Sequence, residues 1–207
     1  MKQSGRIWNK TLNDQLIQWG FARLGCEPCI YFCKTATGTT IVAVHVDDFL
    51  LISSLTDEND RFKGQLRSTW AISDLSTARF VVGIAVQWNR MQKTVYLSQT
   101  ALIDKIIQSF GQKDAAPVSI PMEPGLRLQR VSHASLPSTE RDTLTKLPYR
   151  SLVGCLLYLT IGTRPDISFA VQQLSQFLDC YSHLHWHAAT RIVRYLKGTR
   201  HLRLCLG

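Results

Sequence analysis

The stretch VAVHVDDFLLIS, Val42 to Ser53, sets two adjacent carboxylates between two apolar, strand-like runs. Burying an unpaired carboxylate costs roughly several kcal/mol even after the surroundings relax. Asp47 and Asp48 therefore need either solvent or a bound cation. Upstream, Ile30 to Lys34 and Ile41 to Val46 read as paired strands joined by a Thr/Gly-rich turn at Thr35 to Thr40. Downstream, Phe49 to Ser53 resumes an apolar strand. The acids thus fall on a tight turn between two paired strands, exposed at one edge of a sheet with buried flanks. A solvated turn also accounts for them on residue type alone, since Asp is a favoured turn residue.

The rest of the chain extends this pattern. Trp8, Leu12, Leu16 and Trp19 recur at helical spacing, with Gly20 as a stop. Thr56 reads as an N-cap, with Asp57 and Glu58 in the first turn and Phe62, Leu66 and Trp70 on the buried face. Arg79 to Leu97 is a second hairpin: RFVVGIAVQW, a polar turn at Asn89 to Lys93, then TVYL. Ser98 reads as the cap of a helix that buries Leu102, Ile103, Ile106, Ile107 and Phe110 and stops at Gly111. Gln112 to Pro148 holds five of the seven prolines and little periodicity, so it reads as a long connection, partly extended and mobile. Helices follow. Tyr149 to Ile161 is apolar nearly all round, as a buried helix is. Pro165 opens a stripe of Ile167, Ala170, Val171, Leu174 and Phe177, and Trp186 to Lys197 buries Ile192, Tyr195 and Leu196. This order predicts an α+β fold, with an antiparallel sheet first and a helical module second.

Composition narrows the function classes. At 207 residues, 45% hydrophobic and 19% charged, the chain is ordinary globular protein with room for one or two domains. A net charge of +9 favours an anionic partner, nucleic acid first and an acidic membrane surface second. No signal peptide is found, and the apolar run from Leu152 to Ile161 is too short to cross a bilayer. Six cysteines make no disulfide framework, so a reducing, intracellular compartment is expected. Cys26, Cys29 and Cys33 lack a second Cys or His pair for zinc and read as half-buried thiols entering a strand. His183, His185 and His187 stand at alternate positions that could hold a metal on a strand, but they read as leading into a helix, where they do not share a face.

Several motifs stand in a familiar order. KQSGRIWN (Lys2 to Asn9), CIYF (Cys29 to Phe32), VHVDDFLLIS (Val44 to Ser53), FVVGIAV (Phe80 to Val86) and YLSQTALIDKII (Tyr96 to Ile107) resemble, in sequence, motifs of Copia-type retrotransposon reverse transcriptases. YRSLVGCLLYLTIGTRPDISFAV (Tyr149 to Val171) is the most specific block, followed by RIVRYLKGT (Arg191 to Thr199). The resemblance implies a partial right-hand polymerase palm over residues 1–97, a first thumb-like helix with the Pro-rich connection over 98–148, and a helical thumb-like module over 149–207. It also implies that Asp47 is the main ligand and Asp48 the accessory ligand of Mg2+ or Mn2+. Such ions lower the pKa of a primer 3′-hydroxyl and neutralise charge on the leaving pyrophosphate. Neighbouring carboxylates repel unless a cation sits between them, so ionisation and metal binding reinforce each other.

By the same resemblance, Gln3 and Arg6 lie beside the incoming nucleotide and template; a capping side chain and a surface charge are the plain alternatives. His45 stands where the family most often has Tyr. It can stack on a nucleotide or donate a hydrogen bond to it, or be an ordinary half-buried strand residue. Val82 and Gly83 fall in the segment that, in the family, steadies the primer end, and the same residues also read as core strand. From Arg141 onward nine Lys/Arg (Arg141, Lys146, Arg150, Arg164, Arg191, Arg194, Lys197, Arg200, Arg203) face three acids (Asp142, Asp166, Asp179). Arg191, Arg194 and Lys197 form a stripe suited to a phosphate backbone or, equally, to a solvated face.

The resemblance opens at Met1, inside a palm motif. Fingers residues that hold the triphosphate and a third palm aspartate are expected upstream, and a ribonuclease H region downstream. The expectation is that this chain alone does not polymerise DNA, because phosphoryl transfer depends on positioning and electrostatics. The implied partners are RNA/DNA template–primer, deoxynucleoside triphosphates and other parts of a retroelement polyprotein, with no membrane. The implied location is the cytoplasm or a virus-like particle, without secretion. A non-catalytic template–primer binding module and an inert, aggregation-prone remnant are the competing readings.

Overall fold

The computed structural model describes residues 3–36 and 38–207; Lys2 of the first motif and Thr37 of the first hairpin turn lie outside the described residues. The chain divides into two compact units between Ala78 and Arg79. The second hairpin clusters with the C-terminal helices.

In the first unit, helix α1 (Ser4–Gln18) precedes strands β1 (Ala22–Arg23), β2 (Ile30–Lys34), β3 (Thr39–His45) and β4 (Asp48–Ser53), and helix α2 (Thr56–Thr69) follows. The strands form one antiparallel sheet in chain order. Period-two alternation buries Thr40 and Val42 of β3. Leu12 and Leu16 on α1, one helical turn apart, close on Phe21, Tyr31, Val42, Phe62 and Leu66. Gly20, at φ 87°, supplies the left-handed backbone that follows the helix. Two expectations are corrected. Thr56 is the first residue of α2 and makes no capping bond. The flank after the acids is half-buried, and Ile52 is 51% exposed, because β4 is the sheet's edge strand.

In the second unit, strands β5 (Phe80–Val81), β6 (Ile84–Asn89) and β7 (Thr94–Ser98) lead into helices α3 (Thr100–Ser109), α4 (Ser138–Thr145), α5 (Tyr149–Gly162), α6 (Ser168–Ser175) and α7 (His183–Gly198). Strand β8 (Leu204–Leu206) ends the chain. β8 returns antiparallel onto β7, a pairing the short sequence RLCL does not announce. Ile103 and Ile106 of α3, Leu152, Leu156 and Leu159 of α5, Val171 and Leu174 of α6, and Ile192 and Leu196 of α7 form one core.

Three further readings change in this unit. Ser98 stays in the β7 ladder opposite Ala85 and is not a cap. Helix α5 has an open face, with Ile161 84% exposed. The connection expected to be extended and mobile contains α4, buries Leu144 fully, and packs Met122, Leu126 and Leu128 against the core. Among the described residues, no helix is long and apolar enough to cross a membrane.

Candidate active site on the first hairpin

Strands β3 and β4 pair down to His45 opposite Asp48, leaving Val46 and Asp47 as a two-residue turn. Val46 has φ 56° and Asp47 does not share the positive φ, which is the pattern of a type II′ turn. Glycine is the usual residue at that first position. A β-branched residue there is a true conformational outlier. The indole Nε1–H of Trp8 donates to the Val46 carbonyl at 2.9 Å. Trp8 meets Trp70 edge to face at 5.5 Å, Trp70 meets Trp19 at 5.8 Å, and Trp19 meets Phe62 at 5.9 Å. A ladder of rings thus connects the turn to the core.

Asp47, Asp48 and His45 are exposed. Neither carboxylate is engaged by a hydrogen bond or ion pair among the described residues. Gln3 is exposed immediately before α1, and its carbonyl accepts the Ile7 N–H at 3.0 Å while its side chain makes no capping bond. Arg6 is exposed on α1, two residues ahead of Trp8. The Trp8 bond brings the first turns of α1 to the hairpin. Sequence reading placed Trp8 at helical spacing and within the first motif, without linking it to the hairpin. The signal that could have found it is the indole N–H, which takes a partner when the ring is half-buried.

The donor chemistry fits a hard cation in part. Mg2+ is held by one or two carboxylates plus waters and substrate phosphates, and two unengaged carboxylates at a hairpin tip supply such ligands. Among the described residues, no group of three His, Cys, Asp or Glu side chains is placed to hold a metal ion.

The remaining predicted residues lie in the second unit. Val82 and Gly83 form a tight turn between β5 and β6, with φ 46° and 74°, so the Phe80–Val86 segment is a small hairpin and not one core strand. Tyr158 on α5 donates its hydroxyl to the Val82 carbonyl at 2.6 Å. The basic stripe of α7 turns inward. Arg191 pairs with Glu123 at 2.8 Å, Arg194 donates to the Ala116 carbonyl at 2.7 Å, and Lys197 donates to the Lys113 and Ala115 carbonyls at 2.5 and 2.9 Å.

Arg164, counted above among the nine C-terminal cations, is 1% exposed. It grips Asp166 with two bonds of 2.9 and 2.7 Å and reaches the Thr199 carbonyl and hydroxyl. Burial raises the Asp166 carboxyl, but the Arg164 hydrogen bond and charge and the Tyr195 hydroxyl outweigh it and hold it below its ordinary value. A cavity of about 440 Å³ between residues 120–128 and α6 is lined by Met122, Leu126 and Phe169. Its two carboxylates, Glu123 and Asp166, already have arginine partners.

A family model described as "Reverse transcriptase (RNA-dependent DNA polymerase)" matches residues 1–124. The chain therefore belongs to the reverse transcriptase family, in its Copia-type retrotransposon branch. It is 32% identical over its whole length to the retrovirus-related Pol polyprotein from transposon TNT 1-94 of Nicotiana tabacum, covering 16% of that protein. It is 30% identical, again over its whole length, to a Saccharomyces cerevisiae protein named for transposon Ty5-1, covering 64% of it. Over 96% of the chain, identity is 30% to the Pol polyprotein from transposon RE1 of Arabidopsis thaliana, of which 13% is covered. The chain thus spans less than two thirds of each of these relatives. No solved structure matches it.

Proposed function

We propose that this chain is palm and thumb of an RNA-directed DNA polymerase, with Asp47 and Asp48 as the carboxylates that hold Mg2+ or Mn2+ in nucleotidyl transfer. One observation carries the reading: two acids, unengaged among the described residues, stand at the tip of a strained hairpin turn in a reverse transcriptase sequence. When bound, the cation lowers the pKa of a primer 3′-hydroxyl and offsets charge on the leaving pyrophosphate. The chain's own part is positional. The β3–β4 ladder fixes where both carboxylates project, and the first turns of α1, with Gln3 and Arg6, flank the same hairpin for nucleotide and template. His45 faces Asp48 across the strands and offers a ring to a base. Val82 and Gly83 present a rigid turn to the primer.

Two carboxylates bind the cation without completing the site. β4 is an edge strand, so a further strand bearing a third carboxylate can add beside the acids. The chain as it stands should therefore yield no primer extension on an RNA template with deoxynucleoside triphosphates and Mg2+. Product that Asp47→Asn abolishes would overturn this incompleteness while upholding the acids as catalytic. The net charge of +9 favours a second, non-catalytic reading, in which the chain grips template–primer duplex. A phosphate role for Arg191, Arg194 and Lys197 requires those side chains to leave their inward partners. Association with other parts of a retroelement polyprotein and a cytoplasmic or virus-like-particle location belong to this proposal.

A further inference from the structure

Four described residues other than glycine have positive φ: Val46, Ser76, Val82 and Lys93. Ser76 and Lys93 are held locally, their amides donating to Asp74 Oδ1 and the Arg90 carbonyl. The two valines differ. Each is β-branched, each sits at a hairpin tip, and each has a carbonyl that receives an aromatic donor from a helix: Trp8 Nε1–H at 2.9 Å and Tyr158 Oη–H at 2.6 Å. Left-handed backbone costs a β-branched residue on the order of 1–3 kcal/mol and persists only where the surroundings over-determine it. Val46 is 68% exposed, so side-chain packing does not hold it there. What reaches the turn from outside the ladder is the indole N–H.

We infer that Trp8 is a positioning residue for the twin-acid turn: its N–H holds the Val46 carbonyl and so fixes where Asp47 and Asp48 project. The ring gives the donor a firm seat. Trp8 stands edge to face on Trp70, which stands on Trp19, and together they reach the buried Phe62. Released from Trp8, the turn can flip its central peptide and re-aim the carboxylates without losing the strands beneath. The inference deepens the proposed metal role of the acids and rests on it only for the affinity measurement below.

The direct test replaces Trp8 by its benzothienyl isostere, which keeps the ring and loses only the N–H, with Trp8→Phe as a genetic counterpart. Trp70→Phe serves as the control, because it loosens the same ladder but leaves the donor in place. In metal-free chain, both Trp8 replacements should shift the Val46 carbonyl and the Asp47 and Asp48 amide resonances, whereas Trp70→Phe lowers the melting temperature and leaves those signals unmoved. Unmoved resonances in the isostere overturn the inference whatever the metal does. Mn2+ titration is the second reading. The isostere should weaken Mn2+ binding about fivefold, the equivalent of one hydrogen bond. Shifted resonances with unchanged, Asp47-dependent Mn2+ affinity overturn the claim that the bond positions ligands. If the unmodified chain shows no Asp47-dependent uptake, the metal reading fails, and the resonances alone decide whether Trp8 sets the turn.

Discussion

Val46 and His185 show how far single residues depart from what their type suggests. Val46 occupies a position suited to glycine, and its cost is offset by the ladder beneath it and by Trp8. His185, read as one of three alternating histidines, is 1% exposed at the start of α7. Its Nδ1 accepts the Ser182 amide at 3.1 Å and lies 2.9 Å from the Ser182 hydroxyl, so Nε2 carries the proton. Phe177 and Tyr149 face the ring, and Nε2 has no partner among the described residues. Burial holds the imidazole below its ordinary value of 6.5. The unfolded chain therefore binds this proton more readily than the folded one, so this group's contribution to stability is present above pH 6.5 and is lost as pH falls through 6.5 toward the lower folded value. Urea denaturation between pH 7.5 and 5.5 should show the decline, by at most about 1.4 kcal/mol per pH unit. His185→Asn, which keeps an acceptor for Ser182, should flatten it. Equal slopes in both proteins would assign the decline to other groups.

At the scale of elements, the first hairpin was legible and the connection was not. The strand–turn–strand reading of Val42 to Ser53 follows from twelve neighbouring side chains, so local pattern sufficed, although the two central turn residues are Val46 and Asp47, and Asp48 opens β4. The β5–β6 turn was missed because Val82 is a poor turn former, and only Gly83 hinted at it. The connection after α3 was misread because its anchors are remote. Arg191, Arg194 and Lys197 bond it across separations of 68, 78 and 82 to 84 residues, and two of the three bond backbone carbonyls, which leave no mark in composition. Charged hydrogen bonds contribute about 1.5–3 kcal/mol each. Replacing Arg194 and Lys197 together by Met should therefore speed trypsin cleavage after Lys113 by at least about tenfold, with little change in the helical signal of circular dichroism. An unchanged cleavage rate would show that the connection is held by Met122, Leu126 and Leu128 alone. In the unmodified chain, added RNA–DNA duplex should produce the same sensitivity if phosphates take over the stripe.

For the whole molecule, family and chemistry were legible for different reasons. Motif order fixed the family, and the comparisons agree. The site was legible only as two acids, since the hydrogen bond from Trp8 and the edge position of β4 depend on packing between distant segments. The excess of nine positive charges favours an anionic partner and carries no chemistry of its own. In the proposed reading, chemistry rests on Asp47 and Asp48. The most direct measurement is calorimetric titration of Mg2+ into the chain with a deoxynucleoside triphosphate and an RNA–DNA template–primer present. Cation uptake in excess of that by nucleotide and duplex alone should appear, and Asp47→Asn should abolish it with Asp48→Asn weakening it less. Uptake indifferent to both substitutions, or no excess uptake at all, would contradict the account.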